Sequence, residues 1–419
     1  MQVTEGCDQG FNPALKAGVT DPVAGKFSPV VVDLTRPDGN QALRGFSLKL
    51  PDGELAKIKG VPLCSDADAT AASCPQASRI GSLTATTGPG PEPFTIPEPG
   101  KPQPQIYLAG PYQGASYSIV SEVPAQAGPF DLGVLAVRSG LEVEPETGRA
   151  VVKADPLPQF FEGVGIAYRH LHAVVDRPEF NLNPTDCREM AITSDVTSTQ
   201  GTVAHPSARF QVDGCKALKF RPKLSLRLRG GTKRADYPAF TAVLKARRGD
   251  ANIAFVQAAL PHSEFIAQEH FSTICTRKQF AADRCPKGSI YGRAKAVSPL
   301  LDKPLSGPVY LRSSDHPLPD LVVKLRGQFE IHLVGRVDSV RGGIRTSFES
   351  VPDAPVTKFV LQLRGGKKGL FVNSTDICRG SHRATVRMKA QNGRAVALRP
   401  RLVAAGCGKK KLGKTKKHD

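Results

Sequence analysis

A cysteine-anchored tandem repeat constrains this chain more than any other feature. The stretch "VPLCSDADATAASCPQASRIGSLTA" matches "STICTRKQFAADRCPKGSIYGRAKA". Cys64 and Cys74 are ten residues apart, as are Cys275 and Cys285, and each pair ends in the frame Cys-Pro-x-x-Ser-x-x-Gly. Upstream, "LPDGEL" matches "LPHSEF"; downstream, "IYLAGP" matches "VYLRSS", and "NPTDC" ending at Cys187 matches "NSTDIC" ending at Cys378. Gly-Cys steps at Cys7, Cys215 and Cys407 close the units. Matches in one order at similar gaps are the signature of a repeated fold. The expected organisation is a first module over 1–214, a second over 215–407 and a disordered basic tail over 408–419. Each module has room for two β-subdomains, about 1–105 and 106–214, then about 215–307 and 308–407.

The repeat also suggests how the nine cysteines pair. Each copy offers the same local partners, which predicts Cys64–Cys74, Cys187–Cys215, Cys275–Cys285 and Cys378–Cys407. Spacing alone does not dictate connectivity. Cys7 is left unpaired, as the cut end of a staple whose partner would sit in a module upstream. Recurrent paired cysteines imply an oxidising compartment, hence an extracellular or cell-surface location. Zinc is the weaker reading: no C-x-x-C occurs and the histidines do not recur with the cysteines.

Composition points to strands. The 419 residues carry 40 Gly and 35 Pro spread along the chain, which favours short strands joined by turns. Tryptophan is absent and aromatics are 6%, so cores must be built from Val, Leu, Ile, Ala and Phe, and a sugar-binding platform of Trp is excluded. No run approaches the roughly 20 apolar residues of a membrane-spanning helix, and the first residues lack a secretion leader, as if a leader had been removed or the chain began inside a longer protein. "FSPVVVDLTR" and "YPAFTAVLKAR" read as equivalent strands, and "GLEVEPETGRAVVK" and "VGRVDSVRGGIRTSFES" as equivalent hairpins. "DGELAKIKG" and "HSEFIAQEHF" read as one short helix per copy, stapled by the cysteine loop. The fold class expected is mostly β: tandem antiparallel β-sandwich modules, immunoglobulin-like, with short disulfide-stapled helices.

"VPLC…CPQASRIGSLTA…IYLAGPYQGASYSIVSEVPAQAGPFDLGVLAVR…DPLP…DRPEFNLNPTDC" resembles the repeating unit of large predicted secreted proteins of soil actinobacteria. The likeness extends over nearly the whole chain. That group has no established activity, so the resemblance implies a multi-module extracellular protein and nothing about catalysis. Those proteins carry further modules upstream, and this chain departs from them by starting at Cys7.

Charge separates the copies. Residues 1–214 hold 16 Lys+Arg and 24 Asp+Glu, a net of −8, which leaves 41 basic and 14 acidic residues, a net of +27, in the remainder of the +19 chain. The basic copy suits an anionic cell-envelope polymer or acidic modules of the same protein. Nucleic acid is not expected as a partner: the Arg-Gly-Gly triplets at Arg229, Arg341 and Arg364 end or interrupt strand patterns and read as turns.

Three groups invite a chemical reading. His170 and His172 alternate on a strand and point the same way, as paired metal ligands do, but only Asp176 or Glu179 is near in sequence as a third. His262, Ser263 and Glu264 are adjacent and cannot converge as a triad; copy one has Asp52, Gly53 and Glu54 there. Glu142, Glu144 and Glu146 alternate into a turn, a spacing that any strand satisfies. Asn373 opens a glycosylation-like "NST", but Pro184 bars the copy-one equivalent, so an Asn-centred turn is the better reading. No catalytic residue, cofactor or metal is assigned. The leading expectation is an extracellular, non-enzymatic repeat protein with a structural or adhesive role at the cell surface. Binding of an acidic partner by copy two comes second, and an extracellular hydrolase third.

Overall fold

The computed structural model describes residues 9–127, 129–340 and 343–407. Cys7 and the basic tail lie outside the described residues. The chain is mostly strand, and each copy builds one large sheet. In copy one the strands run, from one edge, Ala14–Val19, Val30–Thr35, Tyr168–Val175, Arg79–Thr87, Gln105–Ala109, Tyr117–Ala127, Phe130–Val143, Ala150–Ala154, Leu43–Lys49, Met190–Ser198 and Val203–Ala204. Copy two repeats that order: Lys223–Arg229, Ala239–Lys245, Lys358–Leu363, Ile290–Val297, Leu305–Arg312, Asp320–Arg326, Glu330–Val340, Gly343–Phe348, Ile253–Ala259, Thr385–Ala390 and Ala395–Leu398. Named pairs are antiparallel except Leu402–Ala404, which adds in parallel to Lys223–Arg229.

This order corrects the expectation of two subdomains per copy. Tyr168–Val175, from the second half of copy one, lies between Val30–Thr35 and Arg79–Thr87 from the first half. Leu43–Lys49 in turn lies between Ala150–Ala154 and Met190–Ser198. The halves share one hydrogen-bonded sheet and cannot separate. A twisted sheet beyond about ten strands must curl or split, and here it curls. Opposite parts of one sheet face each other across an apolar interior, as the layers of a sandwich do, and Leu15 on the edge strand meets Leu48, Ile192 and Phe210.

The recurrent Cys-Pro-x-x-Ser-x-x-Gly frame has a local explanation. Pro75 and Pro286 start single 3-10 turns, Gln76–Ser78 and Lys287–Ser289. Ser78 Oγ donates to the Pro75 carbonyl at 2.7 Å, and Ser289 Oγ to that of Pro286 at 2.6 Å. The next strand then runs so close to its neighbour that a Cβ on Gly81 would collide with the Val174 carbonyl, and one on Gly292 with that of Gln362. Both glycines sit at register shifts in the ladder.

The four disulfides are Cys64–Cys74, Cys187–Cys215, Cys275–Cys285 and Cys378–Cys407, with Cα–Cα distances of 5.2, 5.9, 5.1 and 5.2 Å, in the usual range. The short helices differ from the sequence expectation. "DGELAKIKG" and "HSEFIAQEHF" contribute the short strands Leu55–Ala56 and Glu264–Ile266. The helices, Asp66–Thr70 and Arg277–Ala281, lie inside the cysteine loops. Ser65 and Thr276 cap them, Thr276 with Gln279 in a full capping box, a signature readable from sequence.

The copies are locked together by a buried carboxylate. Asp353 of copy two is 5% exposed. It accepts from Thr185 N and Thr185 Oγ1 at 2.7 Å each, from Asp186 N at 3.1 Å and from Asn252 Nδ2 at 2.8 Å. Leu301 and Phe329 of copy two complete an apolar cluster around Ile58, Leu108 and Tyr117 of copy one. The Asn-Pro-Thr-Asp motif therefore serves the junction, and the Asn-centred turn expected there is corrected. Asn183 Nδ2 donates to the carbonyls of Asp21 and Val23, far along the chain, and the local turn is made by Asp186, whose Oδ1 accepts from Arg188 N.

Candidate functional site

The interior of the curled sheets is hollow. A cavity of ≈ 910 Å³ runs through both copies and across their junction. Its walls are the inward positions of successive strands at period two: Val30, Val32 and Leu34; Leu171, Ala173 and Val175; Phe240, Ala242 and Leu244; Phe359, Leu361 and Leu363. Many of these side chains are only half-buried despite facing inward, as on Tyr168–Val175 and Ile253–Ala259. The cause lies in strand number and side-chain size. About eight strands enclose a barrel that side chains can fill, and larger curls leave space. Here sheets of thirteen and twelve strands curl around a lining rich in Val, Leu and Ala, without tryptophan.

The lining is almost wholly apolar. Its charged residues are Lys57, Glu179, Arg247, Arg248 and Asp250. Lys57 and Glu179 neutralise each other at 2.6 Å, and Asp250 pairs with Arg221 at 3.1 Å. Arg247 and Arg248 are exposed, so the lining reaches the surface at their turn; it does so again at Val164, 52% exposed, on the hairpin Phe160–Phe161 with Val164–Gly165. The walls offer water few hydrogen-bond partners, so an apolar group gains by entering from solvent.

One polar feature recurs inside both copies. Glu54 and Glu264, the equivalent glutamates of "LPDGEL" and "LPHSEF", are 1% and 0% exposed; no donor reaches the Glu54 carboxyl, and the adjacent Ser263 hydroxyl is the sole donor near that of Glu264 among the described residues. Burial pushes Glu54 well above the usual carboxyl range and Glu264 up to about 8. Glu264 stands opposite Asn373 in the ladder, and the register places Glu54 opposite Asn183. The Oδ1 atoms of these asparagines are buried without a donor. A neutral carboxyl carries the O–H that such an acceptor needs, while an ionised one carries none.

The other sequence candidates separate. Glu142 pairs with Lys153 at 2.7 Å, Glu144 with Lys49, and Glu146 with His332 at 3.0 Å, so each carboxylate faces a different partner. Asp176 is held by Arg79 at 2.9 Å and Glu179 by Lys57, so neither approaches the histidines. His170 and His172 do share a carboxylate, that of Asp33, far earlier in the chain. Burial raises the Asp33 pKa, but hydrogen bonds from both imidazoles prevail and hold it below the usual carboxylate range.

No family model matches the chain, and no curated protein matches it. Among solved structures, the type II cohesin dyad from the adaptor ScaA scaffoldin of Acetivibrio cellulolyticus is similar over 94% of this chain and 97% of that one, at 8% identity and a TM-score of 0.20. A likeness of that size carries no argument about this chain. No helix among the described residues is long and apolar enough to cross a membrane.

Proposed function

We propose that this chain is an extracellular, non-enzymatic binding protein whose curled modules hold the hydrocarbon part of an amphiphile in one shared channel. The observation that carries the reading is the cavity of ≈ 910 Å³, apolar from one copy to the next. Its size suits a small-molecule ligand, since such sites span about 300–1,000 Å³. Each methylene taken from water into it contributes roughly 0.8 kcal/mol. Four disulfides suit an oxidising, extracellular setting. The buried contact at Asp353 suits a structural role for the tandem, in which modules abut end to end.

The test is organic extraction of the natively purified protein, followed by mass spectrometry, with uptake of a fluorescent fatty acid by the emptied chain. Lipid in the extract and saturable uptake are expected. Replacing Ala242 and Ala258, both on the channel wall, by Phe fills the space and should lower uptake about tenfold or more without lowering the melting temperature. An extract free of lipid together with no uptake would refute the carrier reading.

One observation favours a second reading, binding of an anionic polymer by copy two. Lys223, Lys245 and Lys358 stand directly opposite one another on three adjacent strands, all exposed. Like charges in that register destabilise a sheet, and a polyanion would relieve them.

A further inference from the structure

The outer face of copy one carries a donor set that copy two lacks. We infer that Asp33, His170 and His172 form a site for one divalent transition-metal ion of borderline softness, such as Zn²⁺ or Cu²⁺. His170 and His172 lie two apart on one strand, so both rings leave the same face. Asp33 is directly opposite His172 on the neighbouring strand, and His170 is the diagonal neighbour. His170 Nε2 and His172 Nδ1 each stand 2.8 Å from Asp33 Oδ1, and the three donor atoms lie within 4.8 Å of one another. Two imidazoles and one carboxylate are a common ligand set for these ions. With bonds of about 2.1 Å, two donors of a tetrahedral site lie about 3.4 Å apart, so the imidazole nitrogens must each draw about 0.6 Å away from Asp33 Oδ1 and turn toward a common centre to admit the ion. The side chains are 39%, 37% and 26% exposed, which gives the rings freedom to move and leaves the fourth position to water.

The surroundings permit this. Thr84 and Thr86 pair with His172 and His170 on the next strand, and neither brings a charge. Lys16 pairs with Asp33 on its other side and is exposed, so its ammonium has solvent to turn into. Register also supplies an internal control. The positions of Asp33, His170 and His172 are taken in copy two by Val243, Lys358 and Val360, a set that cannot ligate. The site belongs to copy one alone.

Calorimetric titration of the full chain with Zn²⁺ at neutral pH tests the proposal, in a Cys7→Ser background that removes a competing thiol. One equivalent of saturable binding is expected. His172→Asn and Asp33→Asn should each weaken it about tenfold or more, as loss of one of three ligands demands, at an unchanged melting temperature. On the chain with all ligands intact, zinc should also shield His170 and His172, but not His205 or His382, from diethylpyrocarbonate. The proposal falls if binding does not saturate below millimolar zinc, if both variants bind as the parent does, or if other histidines are shielded instead.

Discussion

Copy one and copy two share an inside and differ on the outside. Both have the same order of eleven strands, the same two staples, a glycine at the same close approach and a buried glutamate opposite a buried asparagine. Yet at one spot on the outer sheet, copy one places Asp33, His170 and His172, and copy two places Val243, Lys358 and Val360. The net charges follow the outside: −8 for residues 1–214 and +27 for the remainder. Interior positions are constrained by packing, register and the channel they enclose. Outward positions on a strand touch neither, so ligand chemistry can diverge there without disturbing the fold.

That contrast can be broken most severely through the buried glutamates. Burial raises the folded-state pKa of both above the unfolded value, and for Glu264 the folded chain keeps from 4.5 to about 8 a proton that the unfolded chain releases. Stability should therefore fall as pH rises through that window, by about 1.4 kcal/mol per pH unit and on the order of 5 kcal/mol for Glu264 across it, with Glu54 adding in the same direction. Glu264→Gln should flatten most of this slope in denaturant titrations at several pH values, and Glu54→Gln should act the same way. If only one variant flattens it, the interiors are not equivalent.

A smaller effect is expected at the junction. Asp353→Ala strands the Thr185, Asp186 and Asn252 donors and should cost about 3 kcal/mol. Calorimetry should then resolve two transitions where the parent shows one; a single transition would mean that the apolar contacts of Leu301 and Phe329 suffice. The smallest effect concerns the outer face. Lys245→Glu relieves two like-charge pairs and should raise stability by less than about 1 kcal/mol. It should also weaken retention of copy two on an anionic resin at low salt, and unchanged retention would remove the lysine ladder from the polymer-binding reading.

Part of this was legible in the chain. Residues ten apart in two copies indicated which cysteines are neighbours, because a short loop leaves few partners within reach. The helix lies later than the pattern of "DGELAKIKG" and "HSEFIAQEHF" suggests, because the capping residues Ser65 and Thr276 sit just inside the cysteine loops and start it there. The subdomain boundary failed because strand order within a sheet is a long-range property: nothing local to Tyr168–Val175 says that it inserts between Val30–Thr35 and Arg79–Thr87. The third metal donor was invisible for the same reason. His170 and Asp33 are separated by 137 residues, and only pairing brings them together.

What the sequence by itself determined is the repeat, its staples, its β character and its division of charge, because each rests on spacing, period or count. Only the tertiary structure decided that the strands of each copy form one sheet, that sheets of thirteen and twelve strands curl around more volume than their side chains fill, and that the apolar lining is continuous from one copy to the other. The physical reason is that a period-two pattern says which face of a strand is apolar. How far apart two such faces stand is set by the number of strands between them, and that number exists only once the chain has folded.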